Sequence, residues 1–249
     1  MKEIFYYLLN ILNGNKGVKR TINHFKVRFP ARWSRYYQAD YEEANYNFLR
    51  AQVKPGINII DVGAHIGLFS VASSKLAGTA GKIICFEPTP DTYAVLLQTL
   101  KLNHCHNVTP VQGAVSYKRG RAVFYASEMP GCNSNSLVRT RSGKEKEYEV
   151  ELFTIDGIAD QYSLKPGLIK IDAEGVELDV LQGALDTFRQ YKPVLILGLH
   201  PSFISQKGDS LEKIWDLLEQ SGYRVKENDN YLTKPEFCGH TGLFDVHCI

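Results

Sequence analysis

The stretch that most constrains the fold of this chain is Ile59–Gly67, which reads I-I-D-V-G-A-H-I-G. A β-branched apolar run ends at Asp61, and two glycines follow at Gly63 and Gly67. The next residues, Leu68–Ala77, place apolar side chains at helical spacing. This pattern predicts a buried strand, a tight glycine turn and the start of a helix. Glycine lets the backbone approach a ligand closely, and the first turn of a helix offers unpaired N–H groups.

Acidic residues around this turn indicate the kind of ligand. The spacing D-x-G-x-x-x-G differs from the G-x-G-x-x-G of dinucleotide-binding folds. A ligand that carries an amino-acid group needs an acid to bind its amino group, and Asp61 supplies one. S-adenosylmethionine (SAM) is such a ligand. Glu87 follows the apolar run Lys82–Phe86 and lies 20 positions after Gly67, where an acid binds a ribose diol in Rossmann-like sheets. The alternative for the glycine turn is an ordinary turn of an α/β domain that binds no ligand. The alternative for Glu87 is a solvated charge at the end of a strand.

Apolar runs and helical patterns alternate through the rest of the chain. This order predicts an α/β fold with a mostly parallel, seven-stranded sheet and helices on both faces, in which the last two strands form a hairpin-like pair. The predicted strands are Asn58–Asp61, Lys82–Glu87, Val108–Gln112, Leu168–Asp172, Val194–Leu199, Tyr223–Lys226 and Leu243–Cys248. The predicted helices lie near residues 67–77, 90–103, 176–190 and 210–221.

Two segments stand outside this alternation. Residues 1–50 are predicted to be a mostly helical extension, because apolar and aromatic residues in Trp33–Phe48 recur at the spacing of one helix face. Residues 51–249 then form the main domain, after a break at Pro55-Gly56. The segment Arg121–Phe153, between the third and fourth core strands, is predicted to be a β-hairpin with a mobile tip. Loops at this edge of α/β sheets commonly select the substrate.

Composition and charge limit the partners. The 249 residues carry a formal net charge of +2 and are 44% apolar, which allows a full core and gives no broad basic field for nucleic acid. A local basic patch, for which a solvated surface is the alternative, lies in Lys16–Arg35 with seven Lys and Arg residues. Ile4–Leu12 is apolar but too short to span a bilayer, and it lacks a signal-peptide cleavage site. We expect a helix that packs on the domain or on a second subunit of a homodimer, with weak membrane contact as the alternative.

The cysteine pattern indicates the compartment. Five cysteines stand at positions 85, 105, 132, 238 and 248, without C-x-x-C spacing. An odd, scattered set of this kind predicts reduced thiols in a cytoplasmic protein rather than a disulfide framework or a zinc site.

Six segments of the chain together resemble the FkbM-type SAM-dependent methyltransferases. They read I-I-D-V-G-A-H-I-G-L-F-S (59–70), I-I-C-F-E-P (83–88), L-L-Q-T-L-K-L-N (96–103), V-Q-G-A-V-S (111–116), T-I-D-G-I (154–158) and I-K-I-D-A-E-G-V-E-L-D-V-L-Q-G-A (169–184). The resemblance implies a class I Rossmann-like methyltransferase fold and O-methylation, commonly of sugar or natural-product hydroxyls. One departure is Gly198, which stands where the family often has a Glu in a pattern like L-x-E-x-H-P.

Side chains at two strand ends are the candidates for catalysis. Asp172 ends the fourth strand, which abuts the first at the switch point of the sheet, so its side chain should face the methyl sulfonium. Glu174 follows it, and His200 ends the fifth strand. We hypothesise that these three residues orient and deprotonate the acceptor hydroxyl, with His200 as general base. Asp172 and Glu174 are also candidate ligands of Mg²⁺, which would lower the pKa of the hydroxyl. Glu177 is a third acid here, and its alternative role is to favour the positive end of the next helix.

The predicted SAM contacts combine the glycine turn, the strand-end acids and the segment after the third strand. They are Asp61, Gly63, Ala64, Gly67, Glu87, Gln112, Ala114 and Asp172. Two other classes of function stay open: an NAD-dependent oxidoreductase, whose fingerprint needs glycine at position 61 or 65, and a SAM-binding partner protein without catalysis. The near-neutral charge favours a small-molecule or glycan acceptor over nucleic acid.

Overall fold

The computed structural model describes residues 16–127, 136–138 and 145–249. Its strands are β1 Val18–Ile22, β2 Phe25–Phe29, β3 Asn58–Val62, β4 Ile83–Phe86, β5 Val108–Val111, β6 Ala114–Val115, β7 Gly120–Ser127, β8 Glu145–Phe153, β9 Pro166–Asp172, β10 Val194–Leu199, β11 Val225–Glu227, β12 Asn230–Tyr231 and β13 Phe244–Cys248. Its α-helices are α1 Glu43–Gln52, α2 Leu68–Ala77, α3 Pro90–Leu102, α4 Ile155–Gln161, α5 Glu177–Gln182, α6 Leu185–Tyr191, α7 Pro201–Lys207, α8 Leu211–Gln220 and α9 Lys234–Cys238.

An eight-stranded sheet runs through the centre of the described chain in the order β12-β11-β13-β10-β9-β3-β4-β5. The five strands from β10 to β5 in this order are parallel, and β13 is antiparallel to both β10 and β11. All seven predicted strands are present, and the eighth is the two-residue edge strand β12. The predicted α/β class, with a mostly parallel sheet, is therefore confirmed.

Alternate residues of the central strands face two different helix layers. Ile60 and Ile84 belong to a core that includes residues of α5, α6 and α8. Their neighbours Ile59 and Ile83 pack with residues of α1 and α2 on the other face. Burial on both faces explains why these strands are nearly continuous apolar runs rather than alternating ones.

Residues 1–50 are called the lead-in below. The prediction that this segment is mostly helical is wrong for residues 18–29, which form the antiparallel hairpin β1-β2. The reason is a two-residue period in F-K-V-R-F, where Val27 and Phe29 are buried, Lys26 is exposed and Arg28 is half-buried. Asn23 and His24 both have positive φ angles, 45° and 71°, as a two-residue hairpin turn requires.

The single helix predicted over Trp33–Phe48 is also wrong. A short 3₁₀ helix covers Ala31–Arg35, and α1 begins only at Glu43. Glu42, just before α1, has the left-handed φ of 51°, which interrupts any continuous helix. The described lead-in shares a core with the sheet domain, since Trp33 and Tyr37 belong to the same cluster as Ala64 and Ile66.

Two further predictions concern the middle of the chain. The predicted helix over residues 176–190 is broken into α5 and α6 at Gly183, where a Cβ would lie 2.2 Å from the carbonyl oxygen of Ser116. The predicted β-hairpin insertion is confirmed as β7 paired with β8. The tip for which mobility was predicted falls mostly in 128–135 and 139–144, outside the described residues.

No helix among the described residues combines the length and the hydropathy needed to cross a bilayer. The cysteines in the described ranges, Cys85, Cys105, Cys238 and Cys248, are free thiols. Cys132 lies outside those ranges.

Candidate active site

The glycine turn joins β3 to α2 and packs against the end of β9. Gly63 and Gly67 have φ angles of 80° and 88°, which residues with a side chain rarely adopt. At Gly63 a Cβ would lie 2.0 Å from the carbonyl oxygen of Asp172, and at Gly67 a Cβ would lie 2.5 Å from a methyl carbon of Leu96. The turn is therefore built for close packing, and it brings the first strand into contact with Asp172.

Asp61 lies beneath the turn and is completely buried. Its Oδ2 accepts a hydrogen bond of 2.5 Å from the Ser70 hydroxyl on α2. Its Oδ1 is also buried and has no protein hydrogen-bond partner in the described part of the chain. Burial raises the pKa of Asp61, and the neighbouring Lys170 ammonium and the Ser70 hydrogen bond oppose that effect. Because an unpaired buried oxygen is costly, Oδ1 is a ready acceptor for a ligand amino group.

Glu87 follows β4 and faces the same turn. Its Oε2 accepts a hydrogen bond of 3.1 Å from the His65 backbone N–H, and its Oε1 accepts one of 2.9 Å from the Thr89 backbone N–H. Burial raises the pKa of Glu87 to about 7. These two backbone bonds fix the carboxylate at the position where a ribose diol is expected.

His65 connects the turn to the lead-in. Burial lowers the pKa of His65 to about 4, so the ring is neutral at pH 7. Burial also raises the pKa of Tyr37 well above its ordinary value, so its hydroxyl remains a donor. Tyr37 Oη lies 2.6 Å from His65 Nδ1. His65 thus links the glycine turn to the lead-in through Tyr37.

A pocket of about 920 Å³, part of it open to solvent, lies over the turn. The predicted site residues that line it are Gly63, Ala64, Glu87, Ala114, Asp172 and Glu174. Asp61 and Gly67 support the turn without lining the pocket, and His200 stands behind Glu174. Gln112 is solvent-exposed and does not line the pocket, so its position gives no support to the predicted cofactor contact.

One wall of the pocket comes from the lead-in and from the insertion, two segments that the sequence suggested would close over the site without singling out these residues. The lead-in supplies Tyr37, Tyr41, Glu42 and Tyr46, and the insertion supplies Phe124 and Leu137. The sequence feature that could have indicated this wall is the aromatic-rich segment Trp33–Phe48. Its aromatic residues were interpreted instead as the buried face of a helix.

Lys170 is a second residue that the sequence reasoning missed. It precedes Asp172 by two positions on β9, so both side chains project from the same face of the strand. Its Nζ lies 3.1 Å from Asp172 Oδ2, and its side chain is only 6% exposed. Burial is the largest single effect and would raise the pKa of Asp172, but the Lys170 ammonium, His200 and the hydrogen bond from Lys170 together outweigh it and lower that pKa. Asp172 is therefore held as a carboxylate at the edge of the pocket.

His200 lies among three carboxylates at the start of α7. Its Nδ1–H donates a 2.8 Å hydrogen bond to Glu177 Oε1, which also accepts one from the Gly175 backbone N–H. This bond directs Nε2 toward Glu174 Oε2 at 3.4 Å and Asp172 Oδ1 at 3.8 Å. Burial would lower the pKa of His200, but the Glu177 hydrogen bond and the surrounding carboxylates raise it to about 9. Burial raises the pKa of Glu174 to about 8.

Asp172, Glu174 and His200 also meet the distance requirement for a shared cation. One ligand atom from each lies within 4.8 Å of the other two, and Glu177 fixes the outer nitrogen of His200 as a second-shell carboxylate would. The imidazole suits a transition metal better than Mg²⁺, which prefers oxygen ligands. The donor set therefore fits a divalent cation, although it is not a set selective for Mg²⁺.

Gly198 leaves a gap between two carboxylates. It is in register with Asp172 on β9 and with Asp245 on β13. A Cβ at this position would lie 3.2 Å from an oxygen of each. Burial raises the pKa of Asp245 to about 6, helped by nearby Glu42. A neighbouring strand thus supplies a carboxylate beside the position where relatives often carry Glu.

Comparisons with known proteins agree with this geometry. Methyltransferase sdnD from Sordaria araneosa is 35% identical over 198 residues, which span 67% of this chain and 73% of that protein. Hexuronic acid methyltransferase AglP from Haloferax volcanii is 27% identical over 137 residues, which span 55% and 53% of the two proteins.

The solved structure of a methyltransferase FkbM from Methylobacillus flagellatus superposes with a TM-score of 0.51 at 15% identity. The match covers 84% of this chain and 52% of that one, and it shows a shared class I methyltransferase fold. Residues 61–225 match the family described as the methyltransferase FkbM domain. On this match and on its likeness to sdnD, the chain belongs to the FkbM methyltransferase family.

Proposed function

We propose that this protein is a SAM-dependent O-methyltransferase that acts on a hydroxyl of a sugar, glycan or natural-product acceptor. One juxtaposition carries the proposal. The glycine turn, with its buried acid Asp61, touches the end of β9 at Asp172, and the Asp172 side chain is grouped with Glu174 and His200. A cofactor site and a proton-accepting cluster therefore share one edge of the sheet.

The cofactor half of the proposal rests on two carboxylates. Asp61 Oδ1 accepts no hydrogen bond from any residue that the structure describes, and it suits the amino group of SAM. Glu87, fixed by the His65 and Thr89 backbone, suits the ribose hydroxyls. When bound, SAM supplies an electrophilic methyl group, so the protein needs mainly to position the acceptor and receive its proton.

The chemistry at the acceptor is an in-line displacement. A bound SAM would supply the methyl group to the hydroxyl oxygen, with S-adenosylhomocysteine as the leaving product. The hydroxyl proton reaches neutral His200 at Nε2 by way of Glu174, which lines the pocket and whose Oε2 lies 3.4 Å from that nitrogen. Glu177 holds Nδ1–H at 2.8 Å and stabilises the imidazolium that forms. Asp172 and Glu174 accept hydrogen bonds from the acceptor and fix its approach.

A cation-assisted route is the second candidate, favoured by the convergence of three donor atoms. Asp172, Glu174 and His200 would hold the ion, which when bound lowers the pKa of an acceptor hydroxyl.

The proposed acceptor class rests on the walls of the pocket and on relatives. Aromatic side chains from the lead-in and from β7 line the pocket next to polar groups, which suits a ring with an apolar face and several hydroxyls. The relative AglP is named as a hexuronic acid methyltransferase.

The first experiment is calorimetric titration with SAM, S-adenosylhomocysteine and NAD. We expect micromolar binding of the first two, none of NAD, and loss of binding in Asp61→Ala. The matched control is Asp160→Ala, an exposed acid on α4, which should bind SAM as the native protein does. Preference for NAD, or no binding of SAM, would refute the cofactor assignment.

The second experiment measures transfer of labelled methyl from SAM to a panel of methyl glycosides, hexuronic acids and hydroxylated natural products. An NMR spectrum of the product locates the new methyl group on oxygen, nitrogen or carbon. Labelled product with an O-methyl group supports the proposal, whereas SAM binding without transfer to any member favours the non-catalytic partner protein.

A further inference from the structure

Positive and negative charge are divided between the two ends of the chain. Residues 16–127 contain 15 Lys and Arg against 6 Asp and Glu, and residues 145–249 contain 10 against 19. The first segment therefore has a formal net charge of +9 and the second one of −9, although the whole chain has only +2. In the central sheet the first segment supplies β3, β4 and β5 at one edge, and the second supplies the strands toward the other edge. The protein is thus polarised across its sheet.

A groove at the basic edge of the sheet concentrates this charge. It lies beside β5 and α3 and is lined by Lys16, Arg28, Lys101, His104 and His106. No acidic side chain lines it within the part of the chain that the structure describes. Lys16, Lys101 and both histidines are solvent-exposed.

The basic surface continues from the groove along the hairpin. Arg28 contacts the Lys16 backbone, and the Lys75 ammonium donates to the Lys26 carbonyl oxygen on β2. Lys19, Lys26 and Lys75 are all exposed. The residues from 16 to 39, which form most of this surface, include no Asp or Glu.

The same groove has an apolar component, which a purely solvated charged face would not need. Leu97 is 43% exposed, and Leu102, Val108 and Pro110 line the groove beside it. Cationic and apolar groups together suit an anionic lipid surface, because phosphate headgroups meet the cations and apolar side chains enter the interface.

We propose that the basic groove between β5, α3 and the β1-β2 hairpin docks this protein peripherally on an anionic lipid bilayer. The groove and the catalytic pocket share no lining residue, so the docked enzyme keeps its pocket free for an acceptor. The inference is independent of the proposed reaction, since it rests on charge and surface alone.

The test is flotation of the full 249-residue chain with vesicles of phosphatidylcholine alone and with vesicles containing 30% phosphatidylglycerol. We expect binding to the anionic vesicles only, and a loss of binding as salt rises from about 0.1 to 0.5 M, because screening shortens the reach of the charges. The variant Arg28→Gln/Lys101→Gln should bind roughly 30-fold more weakly, since each cation near such a surface contributes about fivefold.

The matched control is Arg189→Gln/Lys213→Gln, which removes two exposed cations from the acidic part of the chain. Both double variants lower the net charge equally. A difference in vesicle binding between them must therefore come from the position of the removed charges. Equal losses in the two variants, no binding of the native chain, or equal binding to neutral vesicles would overturn the proposal. A single-stranded RNA that binds at the same salt, depends on Arg28 and Lys101, and displaces the vesicles would assign the groove to nucleic acid instead. Circular dichroism and melting temperature check that each variant is folded.

Discussion

Replacing Glu177 by Gln tests the assignment of His200 as the base. Glu177 Oε1 lies 2.8 Å from His200 Nδ1, and its hydrogen bond is the largest contribution that raises the pKa of His200 from an ordinary 6.5 to about 9. The glutamine oxygen can still accept from His200 and Gly175, so the shape of the site is retained while one charge is lost. Removing an opposite charge at this distance should lower the pKa of His200 by about 1–3 units.

The sign of the effect on activity follows from the role of a base, which must be neutral to accept a proton. In the native enzyme kcat/KM should rise tenfold per pH unit from pH 7 and level off near pH 9. In Glu177→Gln the plateau should begin about 1–3 units lower. A shift of one unit corresponds to about 1.4 kcal/mol of lost stabilisation of the imidazolium.

Two assays measure this shift, both with EDTA present so that no cation competes for the ring. The first is the pH dependence of methyl transfer. The second is an NMR titration of the His200 ring nitrogens, assigned by comparison with His200→Gln, which needs no acceptor. Asp186→Asn, an exposed acid on α6, is the matched control and should titrate like the native protein. An unchanged His200 titration in Glu177→Gln would refute the electrostatic reasoning, and a shifted titration with an unchanged rate profile would remove His200 as the base.

Three other predictions follow from the same site. Gly63→Ala should lower the free energy of unfolding by about 1–3 kcal/mol more than Gly78→Ala in chemical denaturation, because Gly78 shares a positive φ but its Cβ would meet no atom within 4 Å; equal losses would contradict this. Lys170→Met should destabilise the fold by about 1–3 kcal/mol, because Asp172 loses its nearest cation, and adding Asp172→Asn should recover part of that loss in thermal melts; no recovery would show that Lys170 acts through packing alone. Dialysis against EDTA should leave methyl transfer unchanged, because His200 is held protonated at neutral pH, and a loss restored by Mn²⁺ or Mg²⁺ would establish the cation route.

The sheet was predictable because its central strands are covered on both faces. Such strands read as uninterrupted apolar runs, and Asp61 and Asp172 mark where two of them end. The break at Gly183 was not predictable, because it depends on the approach of the Ser116 backbone from a distant part of the chain. Local sequence reports burial well and close tertiary packing poorly.

The lead-in was mispredicted because two periodicities overlap there. The alternation in Phe25–Phe29 indicates a strand, but the aromatic spacing in Trp33–Phe48 was given more weight. The left-handed backbone at Glu42 that separates the short helix from α1 has no sequence signal in a glutamate.

The candidate site was partly predictable for a geometric reason. The carboxyl ends of parallel strands meet at one edge, so Asp172, Glu174 and His200 were expected together, and the structure places them within 4.8 Å of one another. Lys170 was missed because the sequence does not show that this lysine is buried against Asp172 and beside a second acid from a distant strand. Its ammonium is held by Asp172 and lies near Asp61 on a neighbouring strand.

The aromatic wall from the lead-in ties the beginning of the chain to a pocket completed much later. Tyr37 and Asp172 line the same pocket although 135 positions separate them. During synthesis the lead-in can pack first against the glycine turn and the helix that follows it, but the pocket is complete only when β9 has joined β3. Once folded, a cofactor that binds only the complete pocket stabilises both ends of the chain by mass action. The rate at which a protease cleaves the β1-β2 hairpin should therefore fall when the cofactor is bound, although the hairpin lies far from the reacting atoms.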